Sequence, residues 1–310
     1  MNIRPSSRSP AVDSPLLNAA EIAELAFQAR HWIAACRSRE VRARHAGDWP
    51  SAHLGGGMDF EEARPYVPGD DLRDMDWRST ARLRRPFVKT YREERQPVWH
   101  IVVDRGPAMR FGTRRRLKVT QAARIALLAC HAAEGMGAAV GLSLWDEQDV
   151  LLSCRQGRAR LPELAHAVVA PCPPLPASSG GRSWAARLQA LRMNLPRGSH
   201  VWVLSDGHWL DDSTEAPLAA LSAMLRLHFV RITDPAETTL PAIGHALFED
   251  LSNGFLRHID TDSNEWRRMV HAQCEERRMR QDALLQRCRI RPLDIATPVD
   301  DLVNEIMRHE

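Results

Sequence analysis

Apolar and polar positions alternate along the middle of this chain with two different periods. Three short runs are apolar almost throughout and close on an aspartate: VWHIVVD (98–104), HVWVLSD (200–206) and LHFVRITD (227–234). Runs without polar alternation read as strands covered on both faces. Helical spacing fills the intervals. One pattern runs over about 115–136, with Ile125, Leu128, Ala129 and Ala132 on one side; others lie near 160–169, 184–194 and 214–225. AVGLSLWD (139–146) and DVLLSCR (149–155) read as two more strands, joined by Glu147-Gln148, a hairpin-length link. Such strands alternating with helices predict an α/β fold, a doubly wound and mostly parallel sheet with helices on both faces. Right-handed crossovers then fix most of the topology. Ligands are expected beyond the carboxyl ends of the strands. Asp104, Asp206 and Asp234 stand there, although aspartate is also a turn and cap former, and Pro235 makes that reading the natural one for Asp234.

The flanks are less regular. Residues 1–13 are rich in Ser, Pro and Arg and are expected to be mobile. A helix should follow, with Ser14 as cap and Pro15 at its first position, burying Ile22, Leu25, Ala29, Trp32, Ile33 and Cys36. Arg37, Arg39, Arg42 and Arg44 suit its C-terminal end. They lack the aromatic interleaving of a nucleic-acid site, so no nucleic-acid partner is expected. Residues 53–96 are polar and turn-rich around Pro68-Gly69-Asp70, with a strand over 86–91. Over 246–260 two alternating segments flank Ser252-Asn253-Gly254, a hairpin signal; a long charged helix (about 264–289) and a last helix (near 300–307) follow. The domain reading is therefore a tail and helix (1–52), a segment packing on the core (53–97), the α/β core (98–245) and a hairpin-and-helix extension (246–310).

Composition narrows the picture. With 44% hydrophobic and 26% charged residues, the 310-residue chain is neither disordered nor collagen-like. A net charge of +3 from 42 basic and 39 acidic residues carries no membrane or nucleic-acid signal. The start has no apolar core of a signal peptide. The most apolar stretch, 125–145, contains His131 and Glu134 and reads as a buried helix followed by a strand. No membrane span and a cytoplasmic location are expected. The six cysteines (36, 130, 154, 172, 274 and 288) form no CxxC pair and are expected to be free thiols. No GxSxG, HExxH or GxxxxGK[ST] motif occurs. His200 and His208 bracket Ser205 and Asp206, but nothing in the pattern sets a histidine against that serine, so a hydrolase is the weaker reading and no enzyme is expected.

Three segments resemble a known family. ARPYVPGDDLRDMDWRSTAR (63–82), VKTYREER (88–95) and IVVDRGPAMRFG (101–112) are similar to the bacterial family called domain of unknown function 58. Its members show R-x-Y-x-P-G-D-D-x-R-x-I-D-W-x-x-S-A-R and then an Asp-ended strand followed by S-x-S-M-x-F-G. Arg64, Tyr66, Pro68, Gly69, Asp70, Asp71, Arg73, Asp76, Trp77, Ala81 and Arg82 align with the block, and ITDPAETTLPAIG (232–244) resembles the family's later part. The resemblance covers about 53–290. It implies a von Willebrand factor A-like core and, as partner, a MoxR-type AAA+ ATPase, with a non-catalytic adaptor role in the assembly or maturation of other proteins. Many relatives carry transmembrane helices before the block; this chain resembles the short soluble form.

The same resemblance raises the question of a metal. The factor-A fold often holds Mg²⁺ through D-x-S-x-S, a threonine and a further aspartate, and Mg²⁺ asks for octahedral oxygen. Here the motif reads Asp104-Arg105-Gly106-Pro107-Ala108, without either hydroxyl. Ser183 and Asp206 are the candidates for the other two ligands, and Arg105 opposes a cation. The expectation is a vestigial site with no cofactor; the alternative is a metal-dependent recognition domain with a degenerate Mg²⁺ site. In the motif block Asp70, Asp71, Asp74 and Asp76 interleave with Arg73, Arg78 and Arg82, which suits internal ion pairs. It also suits a docking surface, for which Arg64, Tyr66, Asp70, Asp71, Arg73, Asp76 and Trp77 are the partner-binding candidates, with Tyr66 and Trp77 as exposed anchors.

Overall fold

The computed structural model describes residues 15–46, 59–92, 96–113, 115–157, 159–172, 182–239, 241–249 and 256–309. They fall into two compact units, one over 39–96 and one made of the rest. The first helix, α1 (Ala19–Ala46), begins on a reciprocal cap. Asn18 Oδ1 accepts from the Glu21 N–H, and the Asn18 N–H donates to Glu21 Oε2, each at 2.9 Å. The expected cap, Ser14, and the tail before it lie outside the described residues, and the helix starts later than the proline suggested. Leu25, Ala29 and Trp32 of α1 are buried, as its spacing predicts.

The smaller unit is an antiparallel pair, β1 (Asp59–Pro65) and β2 (Phe87–Arg92), with helix α2 (Trp77–Leu83) between them. The expected strand over 86–91 is β2. β1 has no apolar alternation; its backbone pairing to β2, Arg64 opposite Val88, makes it a strand.

The larger unit continues with β3 (Val98–Asp104), α3 (Lys118–Gly135), β4 (Ala139–Trp145), β5 (Val150–Arg155), α4 (Arg160–Val169), α5 (Trp184–Asn194), β6 (His200–Ser205), α6 (Asp212–Ser222), β7 (Arg226–Thr233) and the short α7 (Pro235–Thr238). It ends with β8 (His245–Glu249), β9 (Leu256–Asp260), α8 (Asn264–Arg287), β10 (Pro292–Ala296) and α9 (Leu302–His309). Six strands form one sheet in the order β10-β7-β6-β3-β4-β5. All neighbours are parallel except β5, which runs antiparallel to β4 and forms an edge. The chain winds outward from β3 through β4 and β5, then returns to the other side of β3 with β6. The carboxyl ends of β3 and β6 therefore flank the point where the winding reverses.

Alternate residues of each strand enter opposite cores. Ile101, Val103, Leu142, Leu144, Val230 and Ile232 pack with α3, whose whole circumference is nearly closed to water. Val102, Val201, Val203 and Phe229 pack with α5, α6 and α8 through Leu188, Leu218 and Leu285. The strand β10 was hidden in the sequence by Pro292 and Asp294. Proline is tolerated as the first residue of an edge strand, and Asp294 receives Arg231 of β7 at 2.6 and 3.0 Å. β8 and β9 form the expected antiparallel pair; its turn, Ser252-Asn253-Gly254, lies outside the described residues. Among the described residues, no helix is long and apolar enough to cross a membrane.

Candidate functional site

Asp104 ends β3, and its position in the β3–β6 register sets it beside Ser205, the last residue of β6. Ser205 Oγ donates to Asp104 Oδ2 at 2.6 Å and accepts from the Gly207 N–H at 3.1 Å and Trp209 Nε1 at 2.8 Å. The Gly106 N–H reaches Asp104 Oδ1 at 2.9 Å. Burial pushes the Asp104 carboxyl up to about 7, and the neighbouring Asp206 charge pushes the same way against the Ser205 and Gly106 bonds.

Asp206, next in the chain, is answered by a residue outside the sequence-derived candidates. Lys118 opens α3, and its Nζ lies 2.7 Å from Asp206 Oδ2 and 2.5 Å from Glu237 Oε1. Its side chain is only 2% exposed. Burial works to lower the lysine's pKa, but Asp206 and Glu237 outweigh it and hold it above the ordinary value. A signal for Lys118 was present. It is one of only two lysines among 42 basic residues, and it stands at the first position of a helix, where the dipole repels a cation. Such a lysine needs carboxylates.

Asp234 caps α7, as its position before Pro235 suggested. It also ties distant segments together, accepting from the Thr113 N–H at 3.0 Å, from the Thr113 hydroxyl, from the Ala236 N–H at 3.0 Å and from Thr297 Oγ1 at 2.9 Å. These donors outweigh burial and hold its carboxyl below the usual range.

The donor set does not fit a divalent cation. The ammonium of Lys118 already holds Asp206 and Glu237, and Gly106 and Ala108 offer no side-chain oxygen. Ser183 caps α5 by accepting from the Ala186 N–H at 3.3 Å. Arg105 turns from Asp104 toward Asp146 Oδ2, 3.3 Å away, and the Pro171 carbonyl. Nor does Ser205 meet a histidine. His200, at the amino end of β6, stacks on His228, while His208 follows Asp206 and gives it a backbone N–H at 3.0 Å.

In the smaller unit the motif carboxylates build their own segment. Asp70 takes both guanidinium nitrogens of Arg64, at 2.6 and 2.8 Å, and the Val67 N–H at 2.9 Å. The side-chain bond from Arg64 holds Asp70 below the usual carboxylate range. Asp71 caps the 3-10 turn Leu72–Asp74 through the Arg73 N–H. Asp76 caps α2, accepting from the Ser79 hydroxyl at 2.6 Å and from the Arg78 and Ser79 N–H groups. Gly69, at φ +113°, makes the turn that lets Asp70 fold back on Arg64. Trp77, directly after the cap, is 68% exposed, and Leu72 and Arg73 are exposed with it. Tyr66 is half-buried, which corrects the expectation that it stands exposed beside Trp77.

A family model described as "Protein of unknown function DUF58" matches residues 62–280. The chain belongs to the DUF58 family. The match spans the motif block and most of the sheet. The DUF58 chain is 29% identical, over 226 residues, to an uncharacterized protein of Mycobacterium bovis and to one of Mycobacterium tuberculosis; the alignment covers 70% of this chain and 68% of each relative. Among solved structures it is similar to BatB, a conserved hypothetical protein of Bacteroides thetaiotaomicron, at 13% identity and a TM-score of 0.43, over 68% of this chain and 98% of that one. An aerotolerance-related membrane protein of Bacteroides fragilis is similar at 14% identity and a TM-score of 0.39, over 62% and 98%.

Proposed function

We propose that this DUF58 protein is a non-catalytic interaction module with a von Willebrand factor A-like core, serving as adaptor to a MoxR-type AAA+ ATPase in the cytoplasm during assembly or maturation of other proteins. The sheet order, with one antiparallel edge strand, agrees with that core. The rim supports a binding role over chemistry, because Asp104, Ser205, Asp206 and Asp234 are all engaged by internal partners. The observation that carries the reading is the division of labour in the motif segment. Its carboxylates hold the segment in shape, while Leu72, Arg73 and Trp77 face outward, the residue types that anchor interfaces. With Lys118 supplying the rim's positive charge, docking needs no divalent ion.

The test is capture of a purified MoxR-type ATPase by the wild type and by a Trp77→Ala, Arg73→Ala double variant, with and without chelator. Loss of capture by a variant that still unfolds cooperatively, with no effect of chelator on the wild type, is the expected result. Undiminished capture by that variant rejects the surface, and dependence on a divalent ion rejects the metal-free rim.

A further inference from the structure

The sheet face beneath α5 does not close. Along β4 the side chains turned toward α3 are large, Val140, Leu142 and Leu144. The alternate ones are Ala139, Gly141 and Ser143. A cavity of about 460 Å³ results, bounded by β3, β4, β5 and α5. Trp145, Leu191 and Leu195 form apolar wall, and Val150 and Leu151, 40% and 58% exposed, form the lip. One water takes roughly 30 Å³, so the space holds many waters against surface that favours leaving them. Ligand sites are typically about 300–1,000 Å³, mostly apolar, with a few convergent polar groups.

The polar groups here converge on the floor. His100 and Ser143 are 1% and 2% exposed, and His100 Nε2 lies 2.8 Å from Ser143 Oγ. Cys154 Sγ stands 3.5 Å from the other ring nitrogen, Nδ1. Glycine at 141 is what permits this meeting. A Cβ there would sit 2.6 Å from both Cys154 Sγ and His100 Nδ1, and the β4–β5 register shifts between Val140 and Leu142, at the same point. Bulges and interior strand glycines weaken a sheet and recur beside sites that need close approach. Burial pushes the His100 imidazole down to about 4, so at neutral pH the floor is uncharged, one ring nitrogen donating and one accepting. Of the two arginines that line the cavity, Arg187 is engaged by Asp149 at 2.7 Å and the Asp146 carbonyl at 2.6 Å, and Arg182 is solvent-exposed and stands away from the buried floor.

We propose that this cavity binds a small, uncharged, largely apolar molecule through one carbonyl or hydroxyl group that bonds to Ser143 on the His100 floor. The site is independent of the docking surface on the motif segment. Benzophenone, apolar with one carbonyl, is a direct probe, and diphenylmethane is its analogue without the oxygen. The full chain is photolabelled with increasing benzophenone and the attachment sites are mapped by mass spectrometry, with diphenylmethane as competitor. Saturable labelling confined to β5 and α5 is expected. Ser143→Ala should weaken benzophenone roughly tenfold and leave diphenylmethane unchanged. Leu151→Glu, at an exposed position that leaves the fold intact, should weaken both. Unsaturable or scattered labelling overturns the site. A Ser143→Ala effect that is absent, or equal for the two probes, overturns the assigned polar contact.

Discussion

Replacing Lys118 by methionine keeps most of the stem and removes the ammonium between Asp206 and Glu237. The two carboxylates differ in what they lose. Glu237 is 34% exposed and water can take over its solvation, so its share is small. Asp206 is 10% exposed and lies close enough to Asp104 to raise that group's pKa. Breaking a buried pair by deleting one partner costs about 3–5 kcal/mol, against about 5–15 kcal/mol of total stability for a typical domain. With a urea dependence of about 1–3 kcal/mol per molar, the midpoint of Lys118→Met should fall by roughly 2 M at neutral pH. Neutralising the stranded carboxylate as well, in a Lys118→Met, Asp206→Asn double variant, removes the uncompensated charge and should recover most of the loss. Equilibrium urea unfolding at neutral pH is the assay. A loss below about 1 kcal/mol, or one that Asp206→Asn does not relieve, would refute the assignment of Lys118 as the rim's internal cation.

Other outcomes follow from the same structure. Asp104 has a folded-state pKa raised to about 7, so wild type loses stability as pH rises from the unfolded value toward 7; Asp104→Asn should gain on wild type by about 4 kcal/mol between pH 4 and pH 8, read from paired unfolding curves. His100, His200 and His228 titrate with the opposite sign. Their pKa values are depressed to about 4, first by burial, so stability should fall as pH drops below about 6.5, with unfolding in the Asp104→Asn background taking up to three protons. Gly141→Ala should cost about 1–3 kcal/mol in thermal or urea unfolding, because the added methyl meets Cys154 and His100.

The parallel strands were legible because burial on both faces leaves no alternation to disguise them. Val98–Asp104, His200–Ser205 and Arg226–Thr233 fall within a residue or so of the apolar runs that announce them. β1 and β10 were not legible. One is held by backbone pairing to β2, and the other carries a proline and an aspartate whose meaning depends on Arg231, distant in sequence. The rim was half legible for the same reason. The Asp-ended runs located Asp104, Asp206 and Asp234, but the partners that decide what those carboxylates do are Lys118, Thr113 and Thr297, brought in by tertiary contacts. In the motif block the interleaved charges suggested ion pairs with Arg73, Arg78 and Arg82, whereas Asp71 and Asp76 accept backbone N–H groups as caps and Asp70 takes Arg64; neither that choice nor the half-burial of Tyr66 was legible in the spacing.

Arg231 places a constraint on how the protein is made. This guanidinium is buried inside β7, and its carboxylates come from Asp282 of α8 and Asp294 of β10, both synthesised much later. Until residues beyond 294 leave the ribosome, this guanidinium is without its carboxylates and the β7 edge, at Ile232, is without the strand that covers it. Closure of the sheet on that side is therefore a late event of biosynthesis, and the emerging chain is open to chaperones or premature association during the interval.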